Sequence, residues 1–207
     1  MKINNKENVV LEILKNFPKN YNANNLSKEI GLSSMGSLKI LNILKEEGIF
    51  KLEKVSNIKF YSFDFDNSYA RDYASLLFRK EAESSSPFVK RWINEFGKIK
   101  YAEIGILFGS ILTKGKNAKD VDVLFVVNKS NFDKLKSEIS ELNKLNDKEI
   151  HAVYQTRNDF IKNLNLKDEV VLEIIKGILV FGEREFVNLL DEVHHRVYPK
   201  LREVGAK

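Results

Sequence analysis

Cysteine is absent from the 207 residues. That excludes disulfides, cysteine-ligated zinc and a thiol nucleophile. Only three prolines occur, so little of the chain is barred from regular structure. No apolar run approaches the roughly 20 residues a membrane span needs. The start, MKINNKENVV, has no apolar h-region and no cleavage signal. These absences predict a soluble, cytoplasmic chain with no membrane partner. Charge of one sign is also scarce: 34 Lys and Arg face 29 Asp and Glu, a net +5. A protein that coats nucleic acid by charge alone is more basic, so any basic function must come from placement. What is present is a 43% hydrophobic content, enough for one large packed domain or two small ones.

Two regions read differently. Over 6–17, Val9, Val10, Ile13 and Leu14 recur at helical spacing. Asn24-Asn25-Leu26 opens a second, short helix that Gly31 ends, with Asn as its cap. Ser33-Ser34 caps a third helix running to about Glu47, ended by Gly48. Phe50–Val55 and Lys59–Phe63 then read as two strands around Ser56-Asn57. Helix, helix, helix, hairpin is the order of a winged helix-turn-helix, and about 60 residues resemble that family. A helix over 68–83 follows, with Tyr69, Tyr73, Leu76 and Leu77 on one face. It is the expected dimer element of a homodimer. Ser84-Ser85-Ser86-Pro87 reads as a linker. The expected division is therefore a domain over 1–66, a connecting helix and linker over 67–87, and a second domain over 88–207.

The second region alternates helices and strands. The sequence predicts a helix over 88–96, strands over 102–108, 121–127, 149–155 and 178–181, and a helix over 132–145. Further helices fall near 158–164 and 168–176, and a last one starts at about Arg184. Together with the N-terminal region this predicts an α+β protein whose second domain has a small mixed sheet flanked by helices.

The chemistry-bearing stretch is Ile106-Leu-Phe-Gly-Ser-Ile-Leu-Thr-Lys-Gly-Lys-Asn-Ala-Lys-Asp-Val-Asp-Val-Leu-Phe-Val126. A buried strand ends at Gly109-Ser110, and after nine residues Asp120-Val121-Asp122 opens another. Gly109 lets backbone approach a ligand closely. A helix starting at Ser110 would aim free N–H groups and a hydroxyl at an anion. Asp120 and Asp122 share one face of a strand. Two like charges held side by side are relieved by a hard divalent cation, most naturally Mg²⁺. An anion cradle beside a two-carboxylate metal site suits phosphoryl or nucleotidyl transfer.

An apolar residue, Gly-Ser, about ten residues and then Asp-x-Asp in a strand resembles the signature of the minimal nucleotidyltransferases of the DNA polymerase β-like superfamily. The resemblance spans about 20 residues by motif and roughly 88–182 by element order. It implies that Gly109 and Ser110 hold the triphosphate of ATP or another nucleoside triphosphate. It also implies that Asp120 and Asp122 bind two Mg²⁺ ions and carry catalysis. With the winged start, the chain is similar to prokaryotic transcriptional regulators that carry such a domain. Some members of the family are antitoxins that adenylylate a tyrosine of a HEPN-type ribonuclease toxin, so a protein acceptor is open here.

The chain departs from the pattern in two ways. Arginines common after Gly-Ser are replaced by Ile111 and Thr113, leaving Lys114 or Lys116 to supply charge without a bidentate fork. No Asp stands on the neighbouring strand, where Glu149 and His151 share one face. A helical crossover favours a parallel relation, which brings the two strand starts together. Glu149 is then a candidate third acid, as ligand or general base, and His151 an alternative neutral base. The missing Asp keeps a second reading open, that of a weak or inactive nucleotidyltransferase fold in a DNA-binding regulator.

The longer helix of the helix-turn-helix would be the recognition helix. Ser37, Leu41 and Leu44 face the core, and Ser34, Met35, Leu38, Lys39 and Asn42 face outward. Lys28, Lys51, Lys54 and Lys59 are candidates for phosphate contacts with duplex DNA. Residues 1–62 hold ten Lys against six Glu, a net +4, which is most of the excess. Leu38, Ile40 and Ile43 suggest a protein interface instead. His194-His195 read as surface, and Trp92, Phe88 and Phe96 as core.

Overall fold

The computed structural model describes residues 2–17 and 19–197. Residues 198–207, placed by sequence in the second domain, lie outside the described part. The protein is α+β: the described residues form ten α-helices, a two-stranded sheet and a four-stranded sheet. Among them, no helix is long and apolar enough to cross a membrane. The chain divides into two compact units between Lys80 and Glu81.

The first unit opens with α1 (Asn5–Lys15). Asn4 and Glu7 satisfy each other's backbone N–H groups at its start, a capping box. α2 (Ala23–Ile30) begins one residue earlier than the sequence suggested. Its cap is Asn22, whose side chain accepts from the N–H groups of Asn24 and Asn25, while Asn25 returns a bond to Asn22 N. Gly31 ends it in the left-handed conformation that glycine enters without strain. α3 (Ser34–Glu46) is capped by Ser33 and buries Ser37, Leu41 and Leu44, the expected face. β1 (Phe50–Val55) and β2 (Ile58–Phe63) pair antiparallel around Ser56-Asn57. Tyr21 adds a bridge to Tyr61 of β2.

α4 (Ser68–Ser84) carries the division between the units. The stretch read as a linker leaves only Ser85 and Ser86 between two helices. Ser84 still belongs to α4, and Ser86 caps α5 (Pro87–Phe96) with Pro87 in its first turn. Serine followed by proline is a helix start, because proline lacks only an N–H that would go unpaired there. Tyr69 is 58% exposed and stacks on Tyr73 at 6.3 Å.

The second unit holds β3 (Ile104–Phe108), α6 (Ser110–Lys114), β4 (Asp120–Val126), α7 (Phe132–Leu145) and β5 (Glu149–Gln155). α8 (Arg157–Asn165), α9 (Glu169–Ile174), β6 (Ile178–Phe181) and α10 (Glu183–Val197) follow. The strand order is β5-β4-β3-β6. β3 runs antiparallel to both neighbours, and β4 is parallel to β5 across the α7 crossover, so the sheet is mixed as expected. Val121, Val123 and Phe125 of β4 join one core with Trp92 and Phe96 of α5 and Leu135 and Ile139 of α7. The alternation of β4 that buries these residues puts Asp120 and Asp122 on the opposite face. At the strand's start both carboxylates keep partial access to water.

Candidate metal centre

The register of the parallel pair builds the site. Asp120 stands beside Glu149 and Asp122 beside His151. On the other flank Asp122 pairs with Phe108, the last residue of β3 before the Gly109-Ser110 turn. The two strand starts and the turn therefore meet at one corner of the sheet.

His151 closes the group. Its Nδ1 lies 3.6 Å from Oδ2 of Asp120 and 3.8 Å from Oδ1 of Asp122. Asp120, Asp122 and His151 each offer one ligand atom, all within 4.8 Å of one another. Glu149 is not part of this trio. Its carboxylate is 76% exposed and stands 3.6 Å from Nε2 of His151, on the far side of the ring. The third acid that the sequence offered thus lies behind the imidazole, and the imidazole takes the position beside the aspartates.

The two aspartates are not equivalent. Burial pushes the Asp122 carboxyl above its ordinary range, the charge of Asp120 adds to the rise, and His151 opposes it. A carboxylate held against its preference beside a like charge is relieved by a cation. The donor set fits one: two carboxylate oxygens and an imidazole nitrogen converge, with water able to complete the coordination.

Gly109 sits at φ 75°, ψ −155°, a conformation open essentially to glycine alone. A Cβ there would come within 2.2 Å of Asp122 Oδ2. The sequence reading gave this glycine to a ligand; the structure gives it to the aspartate, whose carboxylate occupies the space a side chain would need. Ser110 begins α6 and is half-buried, and its carbonyl accepts from Thr113 Oγ1 at 3.3 Å. α6 spans only five residues, so the expected array of helix N–H groups is a single turn. Lys114 and Lys116 are exposed, at the end of α6 and in the 3-10 turn Gly115–Asn117.

The proposed DNA-facing residues lie in the first unit. Ser34, Lys39, Lys54 and Lys59 are exposed, and Lys54 stands directly across the hairpin from Lys59. Asn42 is also exposed, but its Oδ1 accepts from Tyr61 Oη at 2.8 Å. Lys51 is taken up by Asp64, at 3.0 Å, and by Asp66. Leu38, Ile40 and Ile43 are half-buried and Met35 is 75% exposed. His195 pairs with Asp191 at 2.7 Å rather than standing alone on the surface. Trp92 and Phe96 are buried, as expected, and Phe88 packs at the edge of the same core.

No family model matches this chain, and no curated protein or solved structure matches it significantly.

Proposed function

We propose that the second unit is a metal-dependent nucleotidyltransferase that moves a nucleoside monophosphate from a nucleoside triphosphate to an acceptor hydroxyl. The observation that carries this reading is the convergence of Asp120, Asp122 and His151 beside the Gly109-Ser110 turn. By resemblance the nucleotide is ATP, the metal is Mg²⁺ and the acceptor can be a protein such as a HEPN-type toxin.

The residues divide the work as follows. Asp120 and Asp122 hold the cation. A cation held there would supply Lewis-acid charge that offsets the negative charge of the phosphates. The Asp122 carboxylate fills the space a side chain at position 109 would take, so the carboxylate and the turn share one corner. Ser110 supplies a hydroxyl and a backbone N–H toward the triphosphate, and Lys114 and Lys116 supply mobile positive charge at the rim. The acceptor oxygen bonds to the α-phosphorus, the bond from that phosphorus to the bridging oxygen breaks, and pyrophosphate leaves with the electron pair. The acceptor's proton passes to solvent at this open edge of the sheet. The test is incubation of the full chain with labelled ATP and divalent metal, with and without cell extract. Label transfer that Asp122→Asn abolishes is the expected result; equal labelling by the variant contradicts the assignment.

We propose for the first unit a winged helix-turn-helix that binds duplex DNA, with α3 as recognition helix and the β1–β2 hairpin as wing. The exposed Lys54–Lys59 pair supports it, because like charges placed opposite each other are relieved by a phosphate. If the second unit transfers nothing, this unit alone gives the regulatory reading. Salt-sensitive duplex binding without label transfer is the outcome that favours it.

A further inference from the structure

We propose that His151 is a metal ligand through Nδ1, oriented from behind by Glu149, and that the site therefore takes a nitrogen-accepting transition cation such as Co²⁺ or Zn²⁺ in preference to Mg²⁺. The inference rests on the metal site of the proposed function but not on the reaction assigned to it.

Three observations carry it. First, the nitrogen on the aspartate side is Nδ1, at 3.6 and 3.8 Å from one oxygen of each carboxylate. Donors on opposite sides of one first-row ion stand about 4 Å apart, twice a metal–ligand distance of about 2.1 Å. The 4.8 Å spread of the trio is close to that span, so small side-chain rotations bring the donors onto one ion. Second, the other ring nitrogen faces a carboxylate, Glu149 Oε2, at 3.6 Å. Metal-binding histidines characteristically give their remaining N–H to such a group, which fixes the tautomer and makes the ligating nitrogen more basic. The side-chain placement puts the imidazole between the aspartates and Glu149, in that arrangement. Third, the Asp122 carboxylate lies in the space left by the absent Gly109 side chain, beside the turn and within reach of Asp120 and His151.

Selectivity follows from the donor chemistry. Mg²⁺ is hard, prefers oxygen and dehydrates reluctantly, so an imidazole adds little to its binding. Cations later in the first transition row gain from nitrogen. A carboxylate in place of His151 would make an all-oxygen site suited to Mg²⁺; the imidazole shifts the preference. Glu149 lies outside the trio and faces Nε2 of His151, so it is here a positioning residue.

The test uses the full chain and metal salts alone. Co²⁺ and Mg²⁺ binding are measured by calorimetry, and the Co²⁺ form by proton NMR for a paramagnetically shifted, exchangeable ring N–H. That signal exists only when one nitrogen holds the metal and the other keeps its proton. Expected results are one such signal in the native chain and its loss in His151→Ala. Co²⁺ affinity should fall by about 10–100-fold in that variant while Mg²⁺ affinity changes less than about threefold. His151→Asp should move the preference toward Mg²⁺. Glu149→Gln should keep the signal, broaden it by faster exchange and weaken Co²⁺ by about tenfold. His151 is half-exposed on its strand, and far-UV circular dichroism confirms that each variant is folded. Absence of a shifted N–H, or equal Co²⁺ affinity in His151→Ala, overturns the inference. Label transfer with His151→Ala unchanged in metal preference would overturn it and leave the proposed reaction standing. A shifted N–H without any label transfer would uphold it and remove the reaction.

Discussion

Gly109 and Asp122 occupy the same corner so closely that a methyl group on the glycine would stand 2.2 Å from the carboxylate oxygen Oδ2. The relationship ties the turn after β3 to the acid pair on β4. Gly109→Ala carries two penalties, a backbone conformation foreign to alanine and a collision with Asp122. A loss of about 1–3 kcal/mol in urea unfolding is expected, with weakened Co²⁺ binding. In the Asp122→Ala background the 2.2 Å collision is gone, leaving the backbone part and a tight contact with the remaining Cβ at 3.2 Å, so the two changes should be less than additive.

Asp122 gives a pH dependence of known sign. Its carboxyl is raised by burial first and by Asp120 second. Between the ordinary aspartate range and the raised value the folded chain holds a proton that the unfolded chain has lost. Stability therefore falls as pH rises through that window. Asp122→Asn removes the penalty, so its melting temperature at pH 7 should exceed that of the native chain. The difference should vanish below about pH 3, where both states are protonated. A lower melting temperature for the variant at pH 7 would contradict this. Such a gain is the usual mark of a residue kept for function rather than stability.

Glu7 shows the opposite sign inside the first unit. Its side chain is almost buried, which by itself raises the carboxyl. Hydrogen bonds from Lys80 Nζ at 2.5 and 2.7 Å and from Asn4 N at 2.9 Å outweigh this and leave it lowered. The stability it contributes is present above the ordinary glutamate value and is lost as pH falls through the lowered one. Lys80→Met removes two charge-assisted hydrogen bonds from that carboxylate and should cost about 1–3 kcal/mol at pH 7. Adding Glu7→Gln should recover part of that loss, read by urea midpoint.

The hairpin makes a quantitative forecast for DNA. Lys54 and Lys59 are exposed and opposite. If each neutralises one phosphate, replacing either by Ala lowers the slope of log K against log salt by about 0.9. Lys51→Ala should leave the slope unchanged, because Asp64 and Asp66 already hold that ammonium. Equal effects of all three would remove the wing from the interface.

Much of this organisation was legible in local pattern. The apolar, β-branched run over 121–127 marked β4 to within one residue, and the amphipathic repeat from Phe132 to Leu145 marked α7 with its observed ends. The parallel pairing of β4 with β5 followed from the helical crossover. What escaped depends on choices among equal signals or on distance in sequence. Asn22, Asn24 and Asn25 are chemically interchangeable caps, and backbone geometry selected the first. Ser84 to Pro87 has the composition of a linker and also of a helix start, and it is the latter. Tyr61 reaches Asn42 from 19 residues away, which no local pattern encodes. The glycine before Ser110 was legible as necessary, but the reason lay 13 residues on, in Asp122. Whether Glu149 or His151 joins the aspartates was beyond the register, since both share a face; side-chain placement decided it.

In the proposed reaction the Asp120–Asp122 corner transfers a nucleoside monophosphate. This transfer is tested most directly by offering ATP labelled at the α- or the γ-phosphate in parallel, with metal and cell extract. Label retained in an acceptor from the α-position only, with pyrophosphate released and both lost in Asp122→Asn, is the predicted result. Transfer from the γ-position, or α-label that survives Asp122→Asn, would contradict it.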